Sequence, residues 1–206
     1  KFGMLPRLRR GVNAAAAGPA PSLGDGRFAR LSRTALPAPP RGPGRVERGT
    51  GLNLFAYGTL MAVDGLREAL GTRADALAVR PARLPGWRRI WNVYRSEWGG
   101  GVLNLEPSPA DVVVGMLIEG LGELDLQVLD AQEATHLPRE TVYVEPLAGE
   151  VVPAQIYRRK KGNHAGKPSG RYKTVVLERA YRSGWEVYES LCRGTVDAAG
   201  NPLTFG

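Results

Sequence analysis

The stretch Tyr57–Leu60 has the residue types and the position of a main-chain anion site. It follows the apolar segment LNLFA of a predicted buried strand and reads Tyr-Gly-Thr-Leu before the chain turns towards a helix. Gly58 permits a positive φ and the close approach of another group, while Thr59 and Leu60 supply successive N–H groups. Such a turn can bind a carboxylate or a developing oxyanion without side-chain bulk. A plain strand end has the same residue types, so the tetrapeptide alone leaves both interpretations open.

The other reactive residue types form no metal, nucleotide or nucleophile motif. GNHAGKPS is one residue short of the phosphate-loop spacing and has a proline after its lysine, which argues against a nucleotide-binding loop. His136 and His164 have no cysteine or histidine partners at metal-ligand spacing. Cys192 lies in SLCRG without a local nucleophile signature and is interpreted as a small apolar residue at a helix end. We therefore expect neither a zinc site nor a nucleotide-binding loop.

The net charge of +8 is concentrated in residues 1–50, which hold ten of the 28 basic residues and two of the 20 acidic ones. This segment is rich in proline and glycine, which predicts a flexible tail, although its arginines also fit an organellar targeting segment or a partner-binding arm. Residues 51–206 are neutral and form the predicted domain, so nucleic acid is a disfavoured partner. The single cysteine and the lack of an apolar run of about 20 residues favour a cytoplasmic protein without membrane spans.

Short strands and a few helices are predicted after residue 50. The strands are LNLFAYGT, ALAVRPARLPGW and RRIWNVY around an LPG turn, GGGVLNLEPSP ended by a proline turn, DVVVGMLIEG, and a hairpin of RETVYVEPL and EVVPAQIYRR. The helices are AVDGLREALG with a stop at Gly71, GELDLQVLDAQEA with Leu124, Val128 and Leu129 as its apolar residues, YKTVVLERAYRSGW, and EVYESLCRG. Because the helices are few and peripheral, the predicted class is α+β with a small curled sheet or barrel.

The order of these segments resembles the γ-glutamylcyclotransferase-like family, which includes the AIG2-like and γ-glutamylamine cyclotransferase branches. The resemblance runs from about Leu54 to Trp185 and rests on YGTL, LPGW, GMLIEG followed by LDAQE, TVYV and PSGRY in this order. It implies a small mixed β-barrel flanked by helices, with no metal and no cofactor. It also implies an intramolecular reaction, in which the α-amine of a γ-glutamyl amine or amino acid attacks its own γ-amide carbonyl and releases 5-oxoproline.

The resemblance also assigns roles to individual residues. Glu133 in LDAQE matches the catalytic glutamate and would act as general acid and base, whereas Glu119, Asp130 and Glu140 are the alternative carboxylates. The Tyr57–Leu60 turn would bind the glutamyl head, and Tyr172 in PSGRY would line the pocket or pack in the core. Arg139 retains a family arginine, with a substrate contact or a structural role. A partly apolar pocket is expected around the catalytic carboxylate.

Two departures from the family pattern leave a second function open. Ala134 follows Glu133 where the family usually has glycine, and the pair before the next strand is Pro138-Arg139 rather than Tyr-Arg. These changes put the leaving-group side of the pocket in question. The alternative to an enzyme is a catalytically silent module that binds a small acidic ligand on the same fold. The expected partner in either case is a small molecule, and the sequence leaves a homodimer open.

Overall fold

Six strands and four helices are formed by residues 51–133 and 137–205, the parts of the chain that this computed structural model describes. The strands are β1 (Leu52–Ala56), β2 (Ala78–Arg95), β3 (Gly100–Leu121), β4 (Arg139–Pro146), β5 (Val152–Tyr157) and β6 (Thr195–Asp197). The helices are α1 (Val63–Leu70), α2 (Glu123–Glu133), α3 (Gly170–Arg182) and α4 (Trp185–Gly194). The predicted tail 1–50, Ala134 and His136 lie outside the described residues.

Five of the strands close into a small mixed barrel. Their order is β3-β1-β5-β4-β2, and β2 pairs again with β3 to close the ring. The β1–β5 pair is parallel, with Leu54 opposite Gln155, and the other neighbours in the ring are antiparallel. β6 extends the sheet beside β2 in parallel, with Thr195 opposite Arg89. The predicted α+β barrel flanked by helices is therefore confirmed.

β2 and β3 are each one long strand, whereas the sequence predicted two strands in each segment. Gly86, in the LPG sequence, has a φ of +79° within β2. The register passes from the Pro85–Val112 pair to the Trp87–Pro107 pair, so extra residues of β3 lie opposite this glycine. Glycine and proline mark a bulge here, which bends the hairpin without ending its strands. The turn prediction was wrong because bulges and turns use the same residue types.

Several local predictions are confirmed. α1 ends at Leu70, directly before the predicted stop at Gly71, whose φ of +59° suits a residue without a side chain. β4 and β5 form the predicted antiparallel hairpin, with Thr141 opposite Gln155. β6 was not predicted, because three residues are too few to show a period. None of the described helices is long and apolar enough to cross a membrane.

α2 has its predicted position, but only one of its three predicted apolar residues, Leu129, is buried. Leu124 and Val128 are 75% and 43% exposed, while Leu126 and Leu129 are buried. Glu133 follows these two leucines by seven and four residues, so it lies on the same inward face. The leucines therefore orient the last residue of the helix towards the barrel. The prediction was right for Leu129 and wrong for Leu124 and Val128, because a helix this short offers two nearly equal apolar stripes.

Replacing Leu129 with alanine is expected to lower the free energy of unfolding by about 2–5 kcal/mol, because the side chain is fully buried. Leu124→Ala removes the same atoms from an exposed position of the same helix and should change it by less than about 0.5 kcal/mol. Urea denaturation of the two variants measures both values. Equal losses would contradict the observed orientation of α2.

Candidate functional site

The end of β1, the following turn, α2, β5 and α3 enclose a cavity of about 380 Å³, counting the space at its mouth. Six of the seven predicted site residues line it, while Arg139 does not. The lining residues are Leu54, Phe55, Ala56, Tyr57, Gly58, Thr59, Leu60, Leu103, Glu133, Leu137, Tyr157 and Tyr172. The structure therefore brings the predicted main-chain turn and the predicted catalytic carboxylate to one concave surface.

The carbonyl groups of the turn are occupied by hydrogen bonds. The Tyr57 carbonyl accepts from Arg89 Nε at 3.1 Å, and the Thr59 carbonyl accepts from Arg179 Nη1 at 2.6 Å. The Gly58 carbonyl accepts from the Met61 N–H at 3.2 Å. No described residue accepts a hydrogen bond from the main-chain N–H groups of Gly58, Thr59 or Leu60. The turn therefore keeps three donors for a ligand, as the first interpretation of its sequence requires.

Gly58 is needed for a close approach and not for a positive φ. Its φ is outside the positive range, so that part of the prediction was wrong. A Cβ atom at this position would lie 2.8 Å from the hydroxyl oxygen of Tyr172, which is shorter than a carbon–oxygen contact allows. The absence of a side chain thus lets α3 place its tyrosine directly against the turn.

Glu133 is held by an arginine that the sequence did not single out. Its Oε2 atom pairs with Arg95 Nη1 at 2.5 Å, and Arg95 Nη2 also donates to the Gln132 carbonyl at 3.1 Å. Glu97 pairs with the Arg95 Nε atom. Burial alone lowers the pKa of Arg95, but the Glu133 and Glu97 carboxylates outweigh it and hold that pKa above its ordinary value. The carboxylate is therefore fixed in orientation at the end of β2.

The surroundings of the Glu133 carboxylate are mainly apolar and aromatic. Its side chain is 15% exposed, and Leu103 and Leu137 line the same cavity. Burial, followed by the neighbouring Tyr172 and Glu133, raises the pKa of Tyr57. Burial and the Glu133 charge likewise raise the pKa of Tyr172. Both hydroxyls therefore stay protonated at neutral pH and can donate hydrogen bonds.

Tyr172 combines the two roles that the sequence left open. It lies in the first turn of α3, where the Ser169 side chain accepts its main-chain N–H at 3.2 Å and caps the helix. Its ring packs edge-on against Trp91 and Trp98, with centroid distances of 5.7 and 5.0 Å. Its hydroxyl end reaches the turn at Gly58. Tyr172 is thus a core aromatic residue with a polar tip in the cavity.

The alternative carboxylates are engaged elsewhere. Glu119 forms a two-point ion pair with Arg80, at 2.8 and 2.9 Å. Glu140 pairs with Arg158 at 2.6 Å. Neither carboxylate lines the cavity, so Glu133 is the only one of the four candidates that does so within the described residues.

Asp130 and Arg139 form a structural bridge behind the cavity wall. Asp130 accepts a hydrogen bond from the Tyr157 hydroxyl at 2.7 Å and pairs with Arg139 Nη2 at 3.3 Å. Burial and the Asp130 bond raise the pKa of the Tyr157 hydroxyl. The main-chain carbonyl of Tyr157 in turn accepts from the Tyr57 hydroxyl. The ion pair between Asp130 and Arg139 therefore joins α2 to β4.

Arg89 is a buried cation that the sequence analysis missed. Its side chain is fully buried, and it donates to the carbonyls of Tyr57 and Val114, to the Ser190 hydroxyl at 3.1 Å and to the Met61 sulfur. Burial lowers its pKa to about 10, so it is charged at neutral pH. Arg89 is two residues before Trp91 and four before Val93 in β2. Side chains at this spacing lie on the same face of a strand, so the two buried apolar residues indicate that Arg89 also points inward.

A comparison with known proteins supports this fold. A solved structure described as a gamma-glutamyl cyclotransferase is 20% identical, with a TM-score of 0.60, over 68% of this chain and 85% of that one. An uncharacterised protein from Homo sapiens is 21% identical, with the same TM-score and coverage. YkqA from Bacillus subtilis is 19% identical, with a TM-score of 0.56, over 68% of this chain and 52% of that one. At these identities the likeness establishes the fold.

No described group of three or more histidine, cysteine, aspartate or glutamate side chains is arranged to hold a metal ion. No curated protein matches the sequence significantly. A family model described as "Gamma-glutamyl cyclotransferase, AIG2-like" matches residues 54–189, which include the turn, Glu133 and Tyr172, and this chain belongs to that family.

Proposed function

We propose that this protein releases 5-oxoproline from a γ-glutamyl amine or a γ-glutamyl amino acid. The α-amine nitrogen forms a bond to the γ-carbonyl carbon of the same molecule, and the bond from that carbon to the amide nitrogen breaks. The products are the five-membered lactam and a free amine. We assign this activity to the domain 51–206 and leave residues 1–50 as a tail.

The reaction requires a folded-back substrate. Holding the amine against the carbonyl makes the attack intramolecular, and well-oriented attacks of this kind reach effective molarities of about 10⁵–10⁸ M. The free N–H groups of the Tyr57–Leu60 turn would grip the glutamyl head at one side of the cavity. The Leu103 and Leu137 side chains would exclude water from the other side.

The reaction also requires a proton carrier. An α-ammonium group has a pKa of about 7.7–8.0, so most of the nucleophile is protonated at neutral pH. Among the described residues, Arg95 bonds Oε2 of Glu133 and no group bonds Oε1, which leaves that oxygen for the substrate. Glu133 would take a proton from the attacking nitrogen and deliver one to the leaving nitrogen. The Tyr57 proton is already donated to the Tyr157 carbonyl, so protonated Tyr172 would donate the hydrogen bond beside it.

One observation carries this proposal. Glu133 lies on the same cavity as a turn whose three main-chain donors have no partner among residues 51–133 and 137–205, although about 75 residues separate them in the sequence. The membership in the gamma-glutamyl cyclotransferase, AIG2-like family supports the reaction class. The panel of substrates described next is designed to identify the leaving amine.

We expect the protein to release 5-oxoproline from at least one member of a panel of γ-glutamyl amines and γ-glutamyl amino acids. Chromatography of the lactam measures this release. The Nα-acetyl derivative of each active substrate should give none, because acetylation removes the nucleophile and keeps the α-carboxylate. A silent binding module would release no lactam from any member of the panel, and that result would contradict the proposal.

A further inference from the structure

Two arginines from different elements donate hydrogen bonds to carbonyl groups of the Tyr57–Leu60 turn and so fix the orientation of its peptide planes. Arg89 in β2 holds the Tyr57 carbonyl, and Arg179 in α3 holds the Thr59 carbonyl. In a trans peptide the N–H points away from the carbonyl of the same unit. The N–H groups of Gly58 and Leu60 therefore point away from the two guanidinium groups. A hydrogen bond to the carbonyl also polarises the peptide and strengthens the donor at its other end.

The two arginines differ in charge balance. Arg179 Nη2 pairs with the exposed Glu68 at 2.6 Å, so its charge is compensated. Arg89 bonds only neutral groups within the described part of the chain, and no carboxylate there pairs with it. An uncompensated buried charge is costly, because desolvation is not offset by an opposite charge. An anion on the far side of the Tyr57–Gly58 peptide would compensate it.

Helix α1 is built around this arrangement. A Cβ atom at Gly65 would lie 2.1 Å from the Thr59 carbonyl oxygen and 2.7 Å from Arg179 Nη1. A side chain at that position would therefore disrupt the hydrogen bond between them.

Arg95, a third arginine near the cavity, has its charge compensated by Glu133 and Glu97.

We propose that Arg89 and Arg179 are positioning residues for the α-carboxylate of the substrate, and that the unpaired charge of Arg89 makes the site select a free α-carboxylate over an α-carboxamide. This inference rests on the proposed function only in taking a γ-glutamyl group as the ligand. It assigns the carboxylate, and not the developing oxyanion, to the N–H groups of the turn. The selected substrates are then γ-glutamyl compounds with an unmodified glutamyl head.

The test measures binding in the Glu133→Gln variant, which avoids turnover during calorimetry. The two probes are γ-glutamylmethylamide and its α-carboxamide counterpart. Adding Arg89→Met should weaken binding of the carboxylate probe by about 10–100-fold, the range for lost interactions with a charged group. Binding of the carboxamide probe should weaken by less than about threefold, since it has no charge to compensate. Arg89→Lys keeps the charge and should restore most of the discrimination.

Arg182→Met is the matched control, because Arg182 lies on the same helix as Arg179, is exposed and pairs with Asp64. It should leave both affinities unchanged. An equal loss for the two probes in Arg89→Met would show a merely structural role and overturn the inference, as would a failure of the Glu133→Gln protein to bind the carboxylate probe. If Arg89→Met does not fold, Arg89→Gln, which keeps a hydrogen-bond donor without the charge, provides the same comparison between the two probes. Carboxylate-selective binding without lactam release by the native protein would overturn the proposed reaction and retain this inference.

Discussion

Glu133→Gln is expected to lower turnover of a γ-glutamyl substrate by roughly 10²–10⁴-fold, the usual contribution of a positioned general acid–base group. Glutamine keeps the shape of the side chain and can still contact Arg95, but it cannot accept the proton of the attacking amine. The substrate should still bind, because the N–H groups of the turn are unchanged. Initial rates of 5-oxoproline release across a range of substrate concentrations separate the two effects.

Glu123→Gln provides the control for this experiment. Glu123 is exposed in the first turn of the same helix, so the same chemical change at that position should leave turnover within about twofold of the native value. Far-UV circular dichroism should show the same helix content in both variants. Near-native turnover by Glu133→Gln would remove this carboxylate from the reaction.

Gly58→Ala is expected to lower kcat/KM by about 10²-fold, because a misplacement of about 1 Å at a site of this kind can have an effect of that size. The new Cβ atom would meet the Tyr172 hydroxyl oxygen at 2.8 Å, so either the turn or the tyrosine must move. The double variant Gly58→Ala/Tyr172→Phe removes the oxygen that causes the clash. We expect it to be more active than Gly58→Ala alone, and steady-state kinetics of the four proteins measures the coupling.

Gly170→Ala is the matched control for this cycle. Gly170 begins α3, its φ is not positive, and a Cβ atom there meets no other atom within 4 Å. The substitution should therefore leave kcat/KM unchanged within about twofold. If the effects of Gly58→Ala and Tyr172→Phe on the logarithm of kcat/KM were strictly additive, the close approach of the two residues would not contribute to activity.

The pattern of short strands and the Tyr-Gly-Thr-Leu sequence predicted a small curled sheet or barrel and the turn after β1. The resemblance to the family, and not the residues alone, implied that Glu133 and Tyr172 share a pocket with that turn. The hydrogen bonds from Arg89 to Tyr57, from Arg95 to Glu133 and from Arg179 to Thr59 were not predicted. Each joins residues at least 32 positions apart in the sequence and follows from the closure of the fold. The prediction for α2 was partly wrong for a related reason. Only tertiary packing decides which of two similar apolar stripes of the helix is buried.

The long hairpin of β2 and β3 restricts the positions at which the chain can gain or lose residues. Side chains alternate between the two faces of a strand, so removing Arg88 would turn Arg89 outward and leave the turn after β1 without its cation. The same change beside Gly86 would be absorbed where the ladder is already irregular. Natural length variants of this hairpin should therefore cluster at the two irregular points of the ladder, beside Gly86 and Asn92, and spare the regular stretch between them.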